Sequence, residues 1–238
     1  HKNKLLTQVE ELKSNFLKMM SHDLKTPLAR IQGMTDIVLR DEDKLNPNQK
    51  DAIKSISESS EQLTEFIGSI LNLNRIESKE IKLQIKSKDI NALVEEAIGK
   101  CEYHARKRNI EIIREFEPMF SIPLDEDLMR QVFTNLIENA IKYSPDGSKI
   151  LVSTEELEGK VIVQVADQGI GIGKKELENV FTKFYRCREV TGGKIQGSGL
   201  GLYLAKYFVD LYEGDILVES QPNKGSTFSV QLPMETEI

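Results

Sequence analysis

Apolar residues at Leu5, Val9, Leu12, Phe16, Met20, Leu24, Leu28, Ile31, Met34 and Val38 recur at three- and four-residue steps. That spacing marks one face of a helix and predicts a helix over residues 1–40. At about 100° per residue, His22 falls about 200° around from Met20. Its row neighbours are Lys18, Thr26 and Ala29, so the imidazole is expected to face water. Pro27 lacks an N–H and crowds the carbonyl of Asp23, which predicts a bend beside His22. Residues 41–47 read as a connection broken at Asn46-Pro47. A second helix follows from about Asn48 to Glu77, with Ile53, Ile56, Leu63, Phe66, Ile67, Ile70, Leu71 and Leu73 on its apolar stripe. Two antiparallel helices with one apolar face each cannot enclose a core. The expectation is therefore a dimeric four-helix bundle, the alternative being a hairpin packed on the second domain of its own chain.

Near Ser78 the period changes to two. Ile81, Leu83 and Ile85 alternate with polar residues as in a half-buried strand. A helix is expected from Asp89 to Arg108, a strand over Ile110–Phe116, and a helix from Asp125 to Tyr143 that Ser121-Ile122-Pro123 leads into. Lys149–Thr154 and Val161–Ala166 read as neighbouring strands turned through Gly159. A short helix around Lys174–Phe181, a helix over Leu200–Tyr212 and strands near Ile216–Glu219 and Thr227–Leu232 complete the pattern. The fold class is α+β: a helical hairpin over residues 1–79, then an α/β sandwich over 80–238 with helices on one face of a mixed, largely antiparallel sheet.

Composition narrows the function. Of 238 residues, 39% are hydrophobic and 29% charged, as in a soluble globular protein. A net charge of −6 argues against non-specific nucleic-acid binding. No apolar run is long enough for a membrane span and no signal peptide is visible, so no membrane contact is expected of this stretch. Cys101 and Cys187 match no metal-ligand spacing and read as reduced thiols of a cytoplasmic protein. The chain opens on His1 already in a helical pattern, so it reads as a fragment with an upstream part missing.

Four stretches carry candidate chemistry. Asp23, directly after His22, can take the Nδ1 proton and leave Nε2 as a nucleophile, although such a pair on its own also reads as ordinary surface. Asn135, Asn139, Lys142 and Tyr143 share one helix face. An amide oxygen can ligate Mg²⁺, lysine can neutralise phosphate and tyrosine can pack on a base; a solvated polar face is the alternative. Asp167, at a strand end before Gly169 and Gly171, can meet a flat donor such as an adenine amino group, or simply open a turn. Gly197-Ser198-Gly199-Leu200-Gly201 precedes a helix and offers backbone N–H groups to an anion. The spacing excludes dinucleotide and P-loop fingerprints. Residues 186–198 are expected to form a mobile lid.

Taken in this order, the motifs resemble the catalytic core of sensor histidine kinases of two-component systems. The likeness runs over nearly the whole chain and joins a dimerisation and phosphotransfer hairpin to an ATP-binding domain of the Bergerat type. Phe16–Leu28 resembles the H box, residues 135–144 the N box, Asp167–Gly171 and Gly197–Gly201 two G boxes, Phe181–Arg186 the F box, and Gly225–Phe228 the last G box. The resemblance implies phosphorylation of His22 on Nε2, with Asp23 as base. It implies Mg²⁺ on Asn139 supported by Asn135, Lys142 on phosphate, Tyr143 toward adenine and Asp167 on its exocyclic amine. Arg186 would reach the γ-phosphate, Thr227 would support the adenine pocket through water, and Thr26 would orient water for dephosphorylating a partner. The cofactors implied are ATP and Mg²⁺; the partners are a second copy of residues 1–79 and a response-regulator receiver domain. A hinge is expected at residues 78–80, and Pro27 is the expected switch point between kinase and phosphatase activity. Gln168, Gly173 and Glu213-Gly214-Asp215 depart from the family's usual residues without removing any implied ligand. A silent ATP-binding scaffold and a conformational ATPase are the rival readings.

Overall fold

The computed structural model describes residues 2–78, 81–187 and 197–234, with side chains from residue 12 onward. The chain divides into two compact units, residues 1–82 and 83–238, so the boundary falls slightly beyond the expected residue 79. Most of the expected hinge at 78–80 and most of the expected lid at 186–198 lie outside the described residues.

In the first unit, α1 (Lys2–Arg40) runs as one helix with Pro27 inside it. After a 3₁₀ turn at Glu42–Lys44, α2 (Pro47–Glu77) begins on a reciprocal cap. Asn46 Oδ1 accepts from the Gln49 N–H at 2.9 Å, Gln49 Oε1 accepts from the Asn46 N–H at 3.0 Å, and Pro47 takes the first helical position. Leu28, Ile67, Leu73 and Ile76 are the buried apolar side chains of this unit among the described residues, and the two helices meet along a thin seam. Polar side chains cross it: Asn74 Nδ2 donates to Ser14 Oγ at 3.0 Å, and Ser60 Oγ donates to the Leu28 carbonyl at 3.3 Å. Leu12 (69% exposed), Phe16, Leu24, Met34, Ile56, Leu63 and Phe66 remain uncovered.

The second unit is a sandwich. A two-stranded ribbon pairs β1 (Lys86–Lys88) with β3 (Ile122–Leu124) antiparallel. The main sheet holds β2 (Glu111–Phe116), β4 (Lys149–Leu157), β5 (Lys160–Ala166), β6 (Asp215–Ser220) and β7 (Ser226–Pro233), in spatial order β2-β4-β5-β7-β6. Only β2 and β4 run parallel. Helices α3 (Ile90–Lys107), α4 (Glu126–Tyr143) and α6 (Gly201–Asp210) cover the sheet, and a one-turn α5 spans Lys174–Leu177. Leu93, Ile98, Phe133, Leu136, Ile137, Ile150, Val163, Leu204 and Phe208 are buried in the core between the layers.

Two expectations shift. The alternation at Ile81–Ile85 is not a strand: the ladder begins at Lys86, since Ile122–Leu124, read from sequence as a lead-in, is its pairing partner. The turn around Lys174–Phe181 is helical only through Leu177. The start of α4 is a dense polar junction. Asp125 caps the helix by accepting from the Asp127 and Leu128 N–H groups, its other oxygen accepts from the Gln84 N–H at 2.8 Å, and its own N–H donates to Tyr212 Oη at 2.9 Å.

Burial pushes the Tyr212 phenol from 10.0 to about 12. The native state therefore holds this proton after the unfolded chain has lost it. Stability present below pH 10 is expected to drain away up to about pH 12, by about 1.4 kcal/mol per pH unit. Tyr212→Phe should remove that alkaline limb and, by orphaning the Asp125 N–H, cost about 1–3 kcal/mol at neutral pH. Urea unfolding at a series of pH values checks both.

Candidate nucleotide site and phosphoacceptor helix

On α1, His22 sits where the helical pattern expected it, with its side chain 85% exposed. Its Nδ1 lies 3.4 Å from Asp23 Oδ1. One turn on, Thr26 Oγ1 donates to the His22 carbonyl at 3.3 Å, so its hydroxyl and the imidazole lie on neighbouring turns of one face. Ser21 and Leu28 point the other way and are buried.

The second unit carries an open, solvent-facing cleft. Several elements meet there. The last two turns of α4 supply Asn139 and Tyr143, and the loop after β5 supplies Asp167, Ile170, Gly171 and Ile172. Tyr185, Arg186 and Cys187 close one side, while Val180, Leu202, Ser226 and Phe228 complete the wall. The apolar part of the lining is interrupted by an amide, a carboxylate, two phenols and a guanidinium.

Asp167 is fixed from two directions. Its Oδ1 accepts from the Gly169 N–H at 2.7 Å and from the Ser226 N–H at 3.2 Å, and its own N–H donates to the Ser226 carbonyl at 2.8 Å. Burial raises its pKa above the usual aspartate value, and the two N–H bonds hold the rise back. The loops around it approach so closely that side chains are excluded. A β-carbon at Gly171 (φ +68) would sit 1.9 Å from the Gln221 carbonyl oxygen. One at Gly225 (φ +87) would sit 1.9 Å from the Asp167 carbonyl oxygen. Gly169 in turn lies against the Tyr143 carbonyl, which accepts from the Ile170 N–H at 3.3 Å. The Tyr143 phenol is held above its usual value by burial, with Arg186 opposing.

The remaining expected ligands surround the cleft rather than line it. Lys142 Nζ lies 5.4 Å from the Tyr143 ring centroid, and a β-carbon on Gly197 would fall 2.4 Å from that same Nζ, so the 197–201 loop reaches the α4 end. Asn135 Nδ2 donates to the Gly201 carbonyl at 3.2 Å, which ties α4 to the start of α6. The Leu200 side chain is in the core, and its N–H donates to Ser198 Oγ at 3.2 Å. Gly199 meets the chain at Phe184, whose N–H donates to its carbonyl at 2.9 Å. The structure corrects the expectation for Thr227. Alternation along β7 buries Ser226 and Phe228 on the cleft side and turns Thr227 to the opposite face. The residue of that motif that lines the cleft is Ser226.

Sequence reasoning gave no role of their own to Ile170, Ile172, Val180, Tyr185, Cys187, Leu202 and Phe228, although Ile170, Tyr185 and Phe228 fall inside its motifs. As isolated apolar or half-polar positions they carry no signal that separates a cleft wall from a core. Gln168, noted as a departure, is exposed, and its Oε1 accepts from the Lys149 N–H at 2.9 Å at the start of β4. Among the described residues no group of three or more His, Cys, Asp or Glu could hold a metal, and no helix is long and apolar enough to cross a membrane.

Residues 12–79 match the family of His Kinase A (phospho-acceptor) domains. Residues 124–236 match the family of histidine kinase-, DNA gyrase B- and HSP90-like ATPases. The chain is 30% identical over 226 residues to the sensor-like histidine kinase SenX3 of Mycolicibacterium smegmatis, covering 95% of this chain and 59% of that one. It is 33% identical over 230 residues to the circadian input-output histidine kinase CikA of Synechococcus elongatus, covering 95% of this chain and 30% of that one. The crystal structure of full-length ShkA in complex with AMPPNP superposes with a TM-score of 0.71 at 26% identity, over 93% of this chain and 46% of that one. This chain thus spans only part of each relative's length. An exposed histidine on a helical hairpin, followed in one polypeptide by an ATPase-type sandwich, agrees with both matches: the chain belongs to the sensor histidine kinases.

Proposed function

We propose that this chain phosphorylates itself on His22 with ATP and passes the phosphoryl group to an aspartate of a response-regulator receiver domain. The observation that carries the reading is an imidazole left in solvent with Asp23 at its Nδ1, in a chain that also holds a cleft built around a fixed, half-buried carboxylate. Asp23 favours the tautomer with the proton on Nδ1, so the Nε2 lone pair is the nucleophile. The Nε2–P bond forms as the bond from the γ-phosphorus to the bridging oxygen breaks. ADP leaves, and the developing imidazolium sheds its Nδ1 proton toward Asp23. Positioning and charge neutralisation supply most of the rate in such transfers.

In the cleft, Asp167 accepts from the adenine amino group, and Ile170, Ile172, Val180, Leu202 and Phe228 form the apolar walls around the base. Lys142 and Arg186 meet the phosphates. Asn139 is the side chain that would hold Mg²⁺, an ion that needs few protein oxygens when phosphates supply the rest. When bound, the ion neutralises phosphate charge. Residues 1–79 pair with a second copy, which covers Leu12, Phe16, Leu24 and Phe66. Thr26, one turn from His22, orients water for dephosphorylation of the partner.

Incubation with γ-labelled ATP tests the reading. A kinase retains acid-labile, alkali-stable label that His22→Ala abolishes. A conformational ATPase releases phosphate without labelling itself, and a scaffold does neither. Nucleotide affinity should also weaken as pH falls through the raised pKa of Asp167, because protonation removes the carboxylate acceptor. That loss should begin at a higher pH than an ordinary aspartate would give, and Asp167→Asn should flatten it while weakening binding by about 2 kcal/mol. Calorimetric titrations with ADP across the acid range would show it. Pro27→Ala returns an N–H toward the Asp23 carbonyl and is expected to shift the kinase-to-phosphatase ratio with nucleotide affinity unchanged. Paired autophosphorylation and dephosphorylation assays read that ratio, and an unaltered value refutes a switch at Pro27.

A further inference from the structure

A helix leaves its last four carbonyls without partners inside the helix. In α4 these belong to Ala140, Ile141, Lys142 and Tyr143, the turn that carries the lysine and tyrosine of the cleft. Ala140 is closed by the Ser144 N–H at 3.2 Å and Tyr143 by the Ile170 N–H at 3.3 Å. The other two are closed by one side chain from a different helix. Arg108, just past α3, donates from one terminal nitrogen to the carbonyls of both Ile141 and Lys142, the second at 3.2 Å. Its other terminal nitrogen donates to the Ser144 carbonyl at 2.8 Å, and its Nε donates to Asp146 Oδ1 at 2.7 Å. The Arg108 carbonyl also accepts from the Gly147 N–H at 2.9 Å. All three guanidinium nitrogens are therefore used across residues 141–146, on both sides of Tyr143. A cation at this helix end also complements the dipole.

We infer that Arg108 is a positioning residue of the nucleotide cleft. It does not line the cleft; it fixes the turn from which Lys142 and Tyr143 meet the ligand. A flat, five-donor fork is needed for this, because a lysine ammonium is a point charge and cannot span carbonyls on both sides of the turn. The inference rests on the nucleotide reading of the cleft.

The test uses the full 238-residue chain, a fluorescent trinitrophenyl-ATP probe, thermal unfolding and the ATP dependence of self-labelling. Arg108→Ala should raise the probe Kd and the KM for ATP about ten-fold, with kcat at saturating ATP within about two-fold of wild type. Arg108→Lys should give a smaller rise in Kd. Asp146→Asn leaves the three carbonyl bonds in place and should leave Kd unchanged. A folded Arg108→Ala with a lowered Tm and an unchanged Kd overturns the inference, since a merely structural role would do only that. If Arg108→Ala does not fold, Arg108→Lys decides: a raised Kd supports the positioning role and an unchanged one overturns it. Failure of the wild-type chain to bind the probe overturns the nucleotide reading itself, and the inference with it.

Discussion

Everything in the second unit turns on one helix having to satisfy two faces at once. Met129, Val132, Phe133, Leu136, Ile137, Ala140 and Ile141 of α4 are buried within the sandwich. The same backbone must present Asn135, Asn139, Lys142 and Tyr143 to the opposite side. Burial of the first stripe supplies the free energy that keeps the second stripe still, at about 1.5–3 kcal/mol for each large apolar side chain removed from water. The Asn135 amide takes its partner from α6, while the Tyr143 and Lys142 carbonyls take theirs from the β5 loop and the end of α3.

The fold was legible in the chain to the extent that one periodicity dominated each segment. The long α1 and α2 stripes, the strands at β4, β5 and β7 and the helix starts at Asp89 and Asp125 are local signals, and each appears close to where it was read. The β1–β3 ribbon was not legible. Its strands are three residues each, too short for a period, and one contains Pro123, which reads as a lead-in unless its partner is known.

The site divides along the same line. Asp167 and the glycines were legible because close backbone approach leaves a compositional mark. The apolar walls were not, because Leu202 or Phe228 in sequence is indistinguishable from a core residue. Thr227 was misassigned by one position, an error that in a strand exchanges one face for the other. Arg108 was hidden for a different reason. It ends a basic run with Arg106 and Lys107, which sequence alone reads as ordinary charge at a helix terminus.

The hairpin shows the opposite balance. Its seam is thin and partly polar, with Ser14, Ser21, Ser60 and Asn74 buried among few large side chains, so small shifts of one helix along the other forfeit little packing. In the second unit, by contrast, the bond from the Gln84 N–H to Asp125 fastens the incoming chain to the first turn of α4. The next residues pair with β3 instead of with the five-stranded sheet. Tension arriving along the backbone at residues 83–85 therefore loads α4 ahead of any strand of that sheet. The helix that lines the cleft is also the one to which the incoming chain is fastened.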